Sequence, residues 1–430
     1  MSLIRILRLT LLLSLSSFAF AGADGPDAAL FQQLGADIDG EATGDSRASE
    51  ISGDGSTIIN GNFTFDGVRG RVRVFELIGG AWRPKGDPIA GSLDNDGAYS
   101  PAINHTGNII AVGAPDADSG NGYVKTYEWK NGAWSQRGST LVAGPRFFGF
   151  SIDLDASGNS LVVGSTNEGS EVHVYDWDGN DWASRDVIAG DSYFGYEVDI
   201  SADGQTVAIG DPSGSPSVRV FRWVDGTRQG LGSEIAGNSA ARGHLESISL
   251  SNDGNMLATS DTRAGTVSVY SWSGSDWVPI APDLSGALQY GECIELSGDG
   301  SRLVVGSTRF YEDDQSGSIT VFESGNGEYL PIFSSQSNLT GAGSDSDIYG
   351  EICGISDDGK TVFVTAPWDD SAGTDFGYIQ VWSEVSTAGD SDSDGVPDDE
   401  DAFPNDPAAS IDTDGDGMPD DWNEGKTQAD

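Results

Sequence analysis

Cysteine, histidine and basic residues are scarce in this chain of 430 residues. Two cysteines cannot build a disulfide framework, so the fold must depend on a large apolar core, which a chain of this length can form. Three histidines, with no Ser-His-Asp order, nucleophile elbow or zinc spacing, offer little for acid–base or metal catalysis. The 22 Lys and Arg against 68 Asp and Glu give a net charge of −46, which argues against nucleic acid and anionic membranes as partners because both need a basic surface.

Long hydrophobic runs are lacking beyond the first residues. Residues 1–21 carry Arg5 and Arg8, an apolar run, and Ala19-Phe20-Ala21, the small-x-small pattern at which signal peptidases cleave. We therefore expect a signal peptide over 1–21 and a protein that is secreted or displayed on the cell surface. No other stretch approaches the roughly eighteen apolar residues of a membrane span, so we expect no membrane insertion after the signal is removed.

Glycine is abundant, and seven glycines mark a repeat. Each closes a tight polar turn, and a strand ending in an aromatic residue follows about twenty residues later; the seven are Gly55, Gly107, Gly158, Gly204, Gly254, Gly300 and Gly359. Their spacing of 46 to 59 residues is that of a four-stranded propeller blade. In five repeats the turn contains Asp-Gly, which predicts a two-residue hairpin between the first and second strands.

Tryptophans recur at fixed places in these repeats. Four lie two residues beyond the aromatic that ends the third strand, and four open the fourth strand; they are Trp129, Trp177, Trp223 and Trp272, then Trp82, Trp134, Trp182 and Trp277. Regular placement favours packing between blades, whereas a platform for stacking sugars is the alternative.

The ending of the fourth strand is missing from the last repeat, which stops at Trp382. A segment with the same ending, Phe31 to Gly40, precedes the first repeat. We therefore predict that residues 29–39 supply the outer strand of the seventh blade and close the ring, because closure leaves only short, protected sheet edges.

Cys293 and Cys353 fall on the first strands of adjacent repeats, at opposite parity relative to the turn. Such side chains point to opposite sheet faces, and neighbouring blades pack face to face, so the two could meet. An inter-blade disulfide is one hypothesis, and two small buried thiols are the other.

Several pieces of the repeat resemble the FG-GAP repeats of integrin α-subunit propellers and of many bacterial exported proteins. The pieces are Phe148-Gly149 with Val163-Gly164, Phe194-Gly195 with Gly210-Asp211-Pro212, Val112-Gly113-Ala114-Pro115, Tyr290-Gly291, Tyr349-Gly350 and Ala366-Pro367. The resemblance implies an all-β fold: a seven-bladed β-propeller of four-stranded blades over residues 22–385. It departs from the integrin pattern because no loop between residues 40 and 383 carries three acids at alternate positions, so the acids of these loops are interpreted as solvated.

Residues 386–430 form an acidic tail in which the spacing of acids predicts calcium sites. Alternate carboxylates can converge on one ion, a glycine at position 6 allows the sharp turn, and position 7 offers its carbonyl oxygen. The first loop supplies Asp390, Asp392, Asp394, Val396, Asp398 and Asp401, with Gly395 at position 6. A merely solvated acidic linker is the alternative.

A second loop supplies Asp412, Asp414, Asp416, Met418 and Asp420. It departs at position 12, which is Asn423, so the closing ligand is assigned to Glu424. Both loops look like thrombospondin type 3 repeats, which implies an irregular calcium-binding tail that is disordered without the ion, since fifteen acids repel one another and little apolar surface offsets the chain entropy.

Glu50, Asp153, Asp199 and Glu295 recur at one position of the first strand, two residues before the turn. Paired carboxyls there could serve a glycosidase or lyase, or hold a cation in the central channel; hydrated acids near the axis are the simpler interpretation. Strongly raised pKa values would favour the catalytic interpretation.

The sequence therefore predicts an exported, non-catalytic, monomeric propeller of bacterial type that binds calcium and acts in adhesion or surface recognition. Its expected ligand is an extracellular protein or glycan, bound by the variable loops between second and third strands, such as residues 113–122, 306–317 and 366–377. A polysaccharide-active enzyme and a purely structural surface module are the alternatives.

Overall fold

The blades are seven antiparallel sheets set around one axis. The computed structural model describes residues 30–385, except 44, 47, 63–69, 92–96, 98–99, 144–146, 167–168, 192, 214–215, 238–246, 288, 309–316, 337–347 and 368–375, together with residues 402, 403 and 409. The innermost strand of each blade contacts the innermost strands of its two neighbours in a closed circle. The predicted all-β, seven-bladed propeller is confirmed.

The first four blades follow two short strands at the start of the described chain, β1 (Leu30–Gln33) and β2 (Ile38–Asp39). Blade 1 contains β3 (Ala48–Ile51), β4 (Thr57–Asn62), β5 (Arg71–Ile78), β6 (Ala81–Pro84) and β7 (Ile89–Ala90). Blade 2 contains β8 (Ser100–Ile103), β9 (Ile109–Ala114), the single-turn α1 (Ala117–Gly120), β10 (Tyr123–Lys130) and β11 (Ala133–Gln136). Blade 3 contains β12 (Phe148–Leu154), β13 (Ser160–Ser165), β14 (Glu171–Trp177) and β15 (Trp182–Ala189). Blade 4 contains β16 (Glu197–Ile200), β17 (Thr206–Asp211), β18 (Ser217–Val224), β19 (Thr227–Gly230) and β20 (Ile235–Ala236).

The last three blades continue the same order. Blade 5 contains β21 (Ile248–Leu250), β22 (Met256–Asp261), β23 (Thr266–Trp272), β24 (Trp277–Pro279) and β25 (Leu284–Ser285). Blade 6 contains β26 (Tyr290–Leu296), β27 (Arg302–Ser307), β28 (Ser318–Gly325) and β29 (Glu328–Gln336). Blade 7 contains β30 (Cys353–Ile355), β31 (Thr361–Ala366) and β32 (Tyr378–Val385), and β1 and β2 complete it. The short strands β2, β7, β20 and β25 each pair with the third strand of their blade, which explains the recurrent apolar residue before a glycine.

Antiparallel order gives the propeller two faces. We call the face with the connections between strands 1 and 2, and between strands 3 and 4, the turn face. The opposite face carries the 2–3 and 4–1 connections and is called the loop face. Side chains of adjacent blades form the core between them, as where Ile152 and Leu161 of blade 3 pack with Val124 of blade 2. The middle strands are buried on both sides, so their sequences are continuous apolar runs rather than alternating ones.

The repeated turn forms the predicted hairpin but is longer than predicted. In blade 1 the Ser52 N–H donates to the Thr57 carbonyl at 2.8 Å, and the Gly55 N–H donates to the Ser52 carbonyl at 2.8 Å. Only Gly55 of the Asp-Gly pair has a positive φ, at 71°, so the two-residue turn is wrong. The reason is side-chain bonding: the Ser52 hydroxyl accepts the Thr57 N–H and donates to Asp54, whose carboxylate accepts the Ser56 N–H.

The predicted closure of the ring is confirmed. β1 pairs antiparallel with β32, with Leu30 opposite Val385 and Gln33 opposite Trp382. Phe31 is buried and stacks on Phe333 of blade 6 with ring centroids 4.7 Å apart. The chain start therefore completes the sheet formed by the end of the propeller and also joins the core between blades 6 and 7.

Blades 6 and 7 are also joined covalently. Cys293 of β26 and Cys353 of β30 form a disulfide with Cα atoms 5.8 Å apart. The inter-blade disulfide hypothesis is confirmed, and the alternative of two free thiols is wrong.

The tryptophans pack between blades, as predicted. Trp134, Trp182 and Trp277 each donate the indole N–H to the preceding blade, to Lys85 O, Thr126 Oγ1 and Leu231 O respectively. Each also lies beside a second tryptophan of its own blade, with ring centroids 5.2 to 5.7 Å apart. These contacts use the rings in the scaffold rather than in a free stacking platform.

Basic side chains link the blades at the turn face. Each donates to the carbonyl oxygen of the turn glycine in the next blade, and the pairs are Lys85 to Gly107, Arg137 to Gly158, Arg185 to Gly204, Arg222 to Gly254 and Arg302 to Gly359. Five of the few cations in this acidic chain therefore serve as inter-blade hydrogen-bond donors. Sequence reasoning missed this use because each partner is a backbone carbonyl more than fifteen residues away.

Candidate functional site: the central channel

A channel of about 380 Å³ runs along the propeller axis. Its wall consists of the innermost strands of all seven blades and the residues of their turns. The four acids predicted near the axis all line it, and they are Glu50, Asp153, Asp199 and Glu295. The sequence therefore placed these four side chains correctly, although they come from four different blades.

A circle of backbone hydrogen bonds joins the seven turns around the axis at the turn face. One residue in each turn donates its N–H to the carbonyl oxygen of a turn residue in the neighbouring blade, at 2.7 to 3.2 Å. The seven bonds run from Asp54 to His105, His105 to Ala156, Ala156 to Ala202, Ala202 to Asn252, Asn252 to Gly298, Gly298 to Asp357, and Asp357 to Gly53. The complete circle ties each blade to its two neighbours at the axis.

Each of these four acids has a backbone partner in the next blade. Asp153 accepts the Ile200 N–H at 2.9 Å, Asp199 accepts the Leu250 N–H at 2.6 Å, and Glu295 accepts the Ile355 N–H at 3.0 Å. Glu50 accepts the Ile103 N–H in the same way. In blade 5 the equivalent acceptor is the hydroxyl of Ser249, which takes the Leu296 N–H at 3.0 Å.

These bonds give the first-strand position a physical role. The inner edge of a blade has no further strand to pair with its N–H groups, and an unpaired buried N–H is costly. A carboxyl or hydroxyl oxygen from the preceding blade supplies the missing acceptor. The side chain thereby joins two blades at the axis.

Enclosure by protein changes the protonation of these acids. Burial, with the nearby charge of Asp199, raises the pKa of Glu50 to about 8. Burial raises the pKa of Asp199 to about 6, even though hydrogen bonds from Asp153 and from backbone N–H groups oppose the rise. The pKa values of Asp153 and Glu295 are also raised, first by burial and then by neighbouring carboxylates. The channel therefore holds a set of interacting carboxyls that keep their protons to higher pH than exposed carboxyls do.

Of the two histidines that the structure describes, His105 also lines the channel and His173 does not. His105 is on the blade 2 turn, where its Nδ1 is 2.5 Å from Oδ2 of Asp357 in blade 7. The two side chains meet beside Gly53 of blade 1, where a Cβ would collide with both of them. His173 is buried on β14, 3.2 Å from the Glu171 carboxylate, and burial lowers its pKa. His244 lies outside the described residues.

The predicted signal peptide and all twelve predicted calcium ligands lie outside the described residues. The ligands are Asp390, Asp392, Asp394, Val396, Asp398, Asp401, Asp412, Asp414, Asp416, Met418, Asp420 and Glu424. Among the residues that the structure describes, no group of three or more acid, imidazole or thiol side chains is arranged to hold a metal ion. Within the same residues, no helix combines the length and apolar character needed to cross a bilayer.

Of the three loops predicted to form the binding face, residues 113–122 are fully described. This connection of blade 2 contains α1, where Asp118 and Ser119 have positive φ values of 49° and 62°. Asp116, Asp118 and Ser119 are exposed on the loop face. The loops at 306–317 and 366–377 lie partly outside the described residues.

Comparisons with protein-family models and with curated proteins find no match to this sequence. The fold and the channel geometry are therefore the basis for assigning a function.

Proposed function

We propose that this protein is an exported, non-catalytic recognition module, a propeller of FG-GAP type followed by a calcium-binding tail. The observation that carries this proposal is the engagement of the channel carboxyls: Glu50, Asp153, Asp199 and Glu295 each accept a backbone N–H of the next blade. A side chain held in this way contributes to the scaffold. Recognition is then left to the variable loops of the loop face.

Glycine contacts between blades support the FG-GAP assignment. A Cβ on Gly113, in the second strand of blade 2, would lie 2.1 Å from the carbonyl oxygen of Gly149 in blade 3. Gly164 meets Gly195 at the same distance, and Gly306 meets Gly350 at 2.3 Å. The first member of each pair belongs to the glycine-containing end of a second strand and the other to an aromatic-Gly pair. The two glycines of the FG-GAP-like repeat are thus explained by one kind of contact, because the backbones of neighbouring blades approach too closely there to leave room for a Cβ.

The disulfide supports export. A bond between Cys293 and Cys353 persists in oxidising compartments and is rare in the reducing cytosol. Secretion is tested by expressing the full chain with residues 1–21 in a bacterial host and sequencing the amino terminus of the exported product. Cleavage after Ala21 supports the proposal, and retention of the uncleaved chain in the cytosol contradicts it.

Calcium binding by the tail is tested by calorimetric titration of the full chain. With a site Kd of roughly 10⁻⁴ M, as in extracellular modules, calcium about tenfold above Kd would stabilise order by about 1.4 kcal/mol per site. Replacing Asp392, Asp394, Asp414 and Asp416 with Asn is expected to abolish the heat of binding. Equal heat from this variant and the parent chain would reject the tail as the site.

An extracellular protein or glycan is the proposed ligand. Glycan and protein arrays, probed with and without calcium, would identify it. The variant D116A/D118A, altered in the exposed loop of blade 2, is expected to lose binding, whereas D225A, on the opposite face, is expected to keep it. Loss in both variants would place the contact elsewhere, and no ligand under any condition would favour a purely structural surface module.

A polysaccharide-active enzyme is the second candidate, because the raised pKa values of the channel acids are the property expected of a general acid. The raised pKa values of Asp153 and Asp199 suit a general acid, but these two carboxyls are directly hydrogen-bonded, which is closer than the roughly 5 to 9.5 Å between the two carboxyls of a glycosidase. Cleavage of any member of a broad polysaccharide panel, lost in D153N and D199N, would establish this function in place of the first. An uncut panel would favour the binding module.

A further inference from the structure

Two neighbouring turns on the loop face are rich in aromatic residues. They lie at the start of the innermost strands of blades 3 and 4 and consist of residues 147–150 and 193–196. The second residue of each turn, Phe148 or Phe194, is fully buried and belongs to the core between blades. The first and last residues of each turn are aromatic as well but remain partly exposed. We call these four residues the aromatic rim, and they are Phe147, Phe150, Tyr193 and Tyr196.

The aromatic rim extends across the interface of the two blades. Within each turn the last residue donates its N–H to the carbonyl oxygen of the first, from Phe150 to Phe147 at 3.2 Å and from Tyr196 to Tyr193 at 3.0 Å. Between the turns, the ring centroids of Phe150 and Tyr196 lie 5.0 Å apart. The side chain of Tyr193 is 48% exposed. The two turns therefore bring four aromatic residues together, and Tyr193 opens the cluster to solvent.

The scaffold does not require aromatic residues at these positions. Blades 6 and 7 have the same turn, since the glycine that is its third residue has φ values of 87° and 92° there, against 88° and 87° in blades 3 and 4. In blade 7 the turn is closed by the same bond, from the Glu351 N–H to the Ile348 carbonyl oxygen at 3.3 Å. The last residue of the turn is nevertheless a glutamate in both blades, Glu292 and Glu351. Because the fold leaves this choice open, a partly exposed aromatic cluster in blades 3 and 4 indicates a ligand site.

Polar groups of blade 2 border the aromatic rim at Phe147. The Phe147 N–H donates to the Gly120 carbonyl oxygen at 2.9 Å, which ties this turn to the loop of residues 113–122. In that loop Asp118, Ser119 and Asn121 are exposed, and the Asn121 amide donates to the Asp118 carboxylate at 3.1 Å. A carboxylate, a hydroxyl and an amide thus lie next to the aromatic turn, and together they offer hydrogen-bond donors as well as acceptors.

We infer that the aromatic rim and this polar loop bind a neutral sugar residue of a glycan. The inference rests on the proposed recognition function and names its ligand. A pyranose ring has a face of C–H groups, which stacks on an aromatic side chain, and an edge of hydroxyl groups, each of which donates and accepts hydrogen bonds. A cationic ligand would use only the acceptors of the loop. An anionic ligand would be repelled by Asp116 and Asp118 and by the net charge of −46.

A glycan array probed with the full chain tests this inference. The array contains neutral oligosaccharides that end in a hexose or an N-acetylhexosamine, and their sialylated and sulfated counterparts form the second arm. Neutral glycans are expected to bind, and the charged counterparts are not. Calorimetric titration with the best neutral binder should show an affinity roughly tenfold lower for Tyr193→Ala and for Tyr196→Glu, because each removes one stacking ring. Blades 6 and 7 carry Glu at the position of Tyr196, so that variant should fold.

Leu330→Ala is the matched control, because Leu330 is a large apolar side chain of similar exposure, 51%, on the turn face. This variant should bind the glycan as the parent chain does. Binding of protein ligands alone, or of charged glycans alone, would overturn the inference and leave the proposed recognition function intact.

A neutral glycan that binds the parent, Tyr193→Ala and Tyr196→Glu with equal affinity would also overturn the inference. Loss of that binding in D116A/D118A would then place the contact on the blade 2 loop without the rings. Absence of any protein or glycan ligand would reject both the inference and the recognition function.

Discussion

The indole N–H of Trp82 in blade 1 donates a 3.0 Å hydrogen bond to the carbonyl oxygen of Leu34. Leu34 follows directly on β1, the strand that completes blade 7. This is the blade 7 to blade 1 version of the contact that Trp134, Trp182 and Trp277 make with the blade before them. The segment before the first repeat therefore serves as a full outer strand, with the same inter-blade contacts as the others.

Removal of this segment should destabilise the whole propeller. Deleting residues 23–40 would expose the edge of β32 and the core between blades 6 and 7, so the melting temperature should fall by many degrees. A finer test is Phe31→Ala, expected to cost about 3–5 kcal/mol in the free energy of unfolding because Phe31 is buried against Phe333. The exposed neighbour in the same strand, Gln32→Ala, should change stability by less than about 0.5 kcal/mol. Equal effects of the two substitutions would contradict the role of β1.

The glycine contacts between blades predict a sharp steric effect. Gly113→Ala would place a Cβ 2.1 Å from a backbone carbonyl oxygen, which cannot move aside as a flexible side chain can. We expect a loss of at least about 1–3 kcal/mol in denaturant unfolding. Gly230→Ala is the control, since that glycine also lies in a strand, lacks a positive φ and has nothing within 4 Å of its added Cβ. A loss of stability in Gly230→Ala as large as in Gly113→Ala would show that the contact is not the cause.

The disulfide should stabilise the closed ring. Cys293 and Cys353 are separated by 60 residues, and cross-linking a loop of that length constrains the unfolded chain by about 4 kcal/mol on the chain-entropy model. Reduction, or replacement of both cysteines with Ser, should lower the melting temperature, and the reductant should have no further effect on the double variant. Titration of the unfolded, unreduced protein should find no free thiol. Two reactive thiols per chain would refute the bond.

The channel acids predict that stability falls as pH rises. A carboxyl whose pKa is higher in the folded than in the unfolded state stabilises the fold when it is protonated. This stabilisation is complete at pH values below the unfolded-state pKa and is lost as the pH rises through the folded-state pKa. For Glu50 the window runs from about 4.5 to about 8, and for Asp199 from about 3.8 to about 6. At about 1.4 kcal/mol per pH unit, the titration of Glu50 alone would lower the free energy of unfolding by at most about 5 kcal/mol across this window. The actual loss is smaller because Glu50 titrates together with Asp199.

Glu50→Gln should therefore flatten the fall between pH 5 and 8 and stabilise the protein at pH 8. The Gln amide oxygen can still accept the Ile103 N–H, which keeps the scaffold contact. Urea unfolding at several pH values measures the effect, and Glu328→Gln, at an exposed site on the blade 6 hairpin, is the control. A parent protein as stable at pH 8 as at pH 5 would contradict the raised pKa values.

Sequence reasoning was most successful where the signal was local and repeated. Turn glycines such as Gly204 and alternating strands such as Glu197-Val198-Asp199-Ile200 gave the number of blades, and the displaced copy at Phe31 gave the closure. It failed on the turn geometry, because the Asp-Gly pair alone does not show that the hydroxyl of Ser52 caps the Thr57 N–H. It also missed the inter-blade contacts of basic residues such as Arg222, since the acceptor is a backbone carbonyl of another blade.

The sequence by itself determined the seven repeats, the ring closed by residues 29–39 and the placement of four acids near the axis, because turn chemistry and strand periodicity act over a few residues. Only the tertiary structure decided that Cys293 bonds Cys353, that the acids accept N–H groups from the next blade, and that their pKa values rise. These properties arise between blades, among groups about fifty residues apart. Their distances and desolvation exist only once neighbouring sheets enclose the axis.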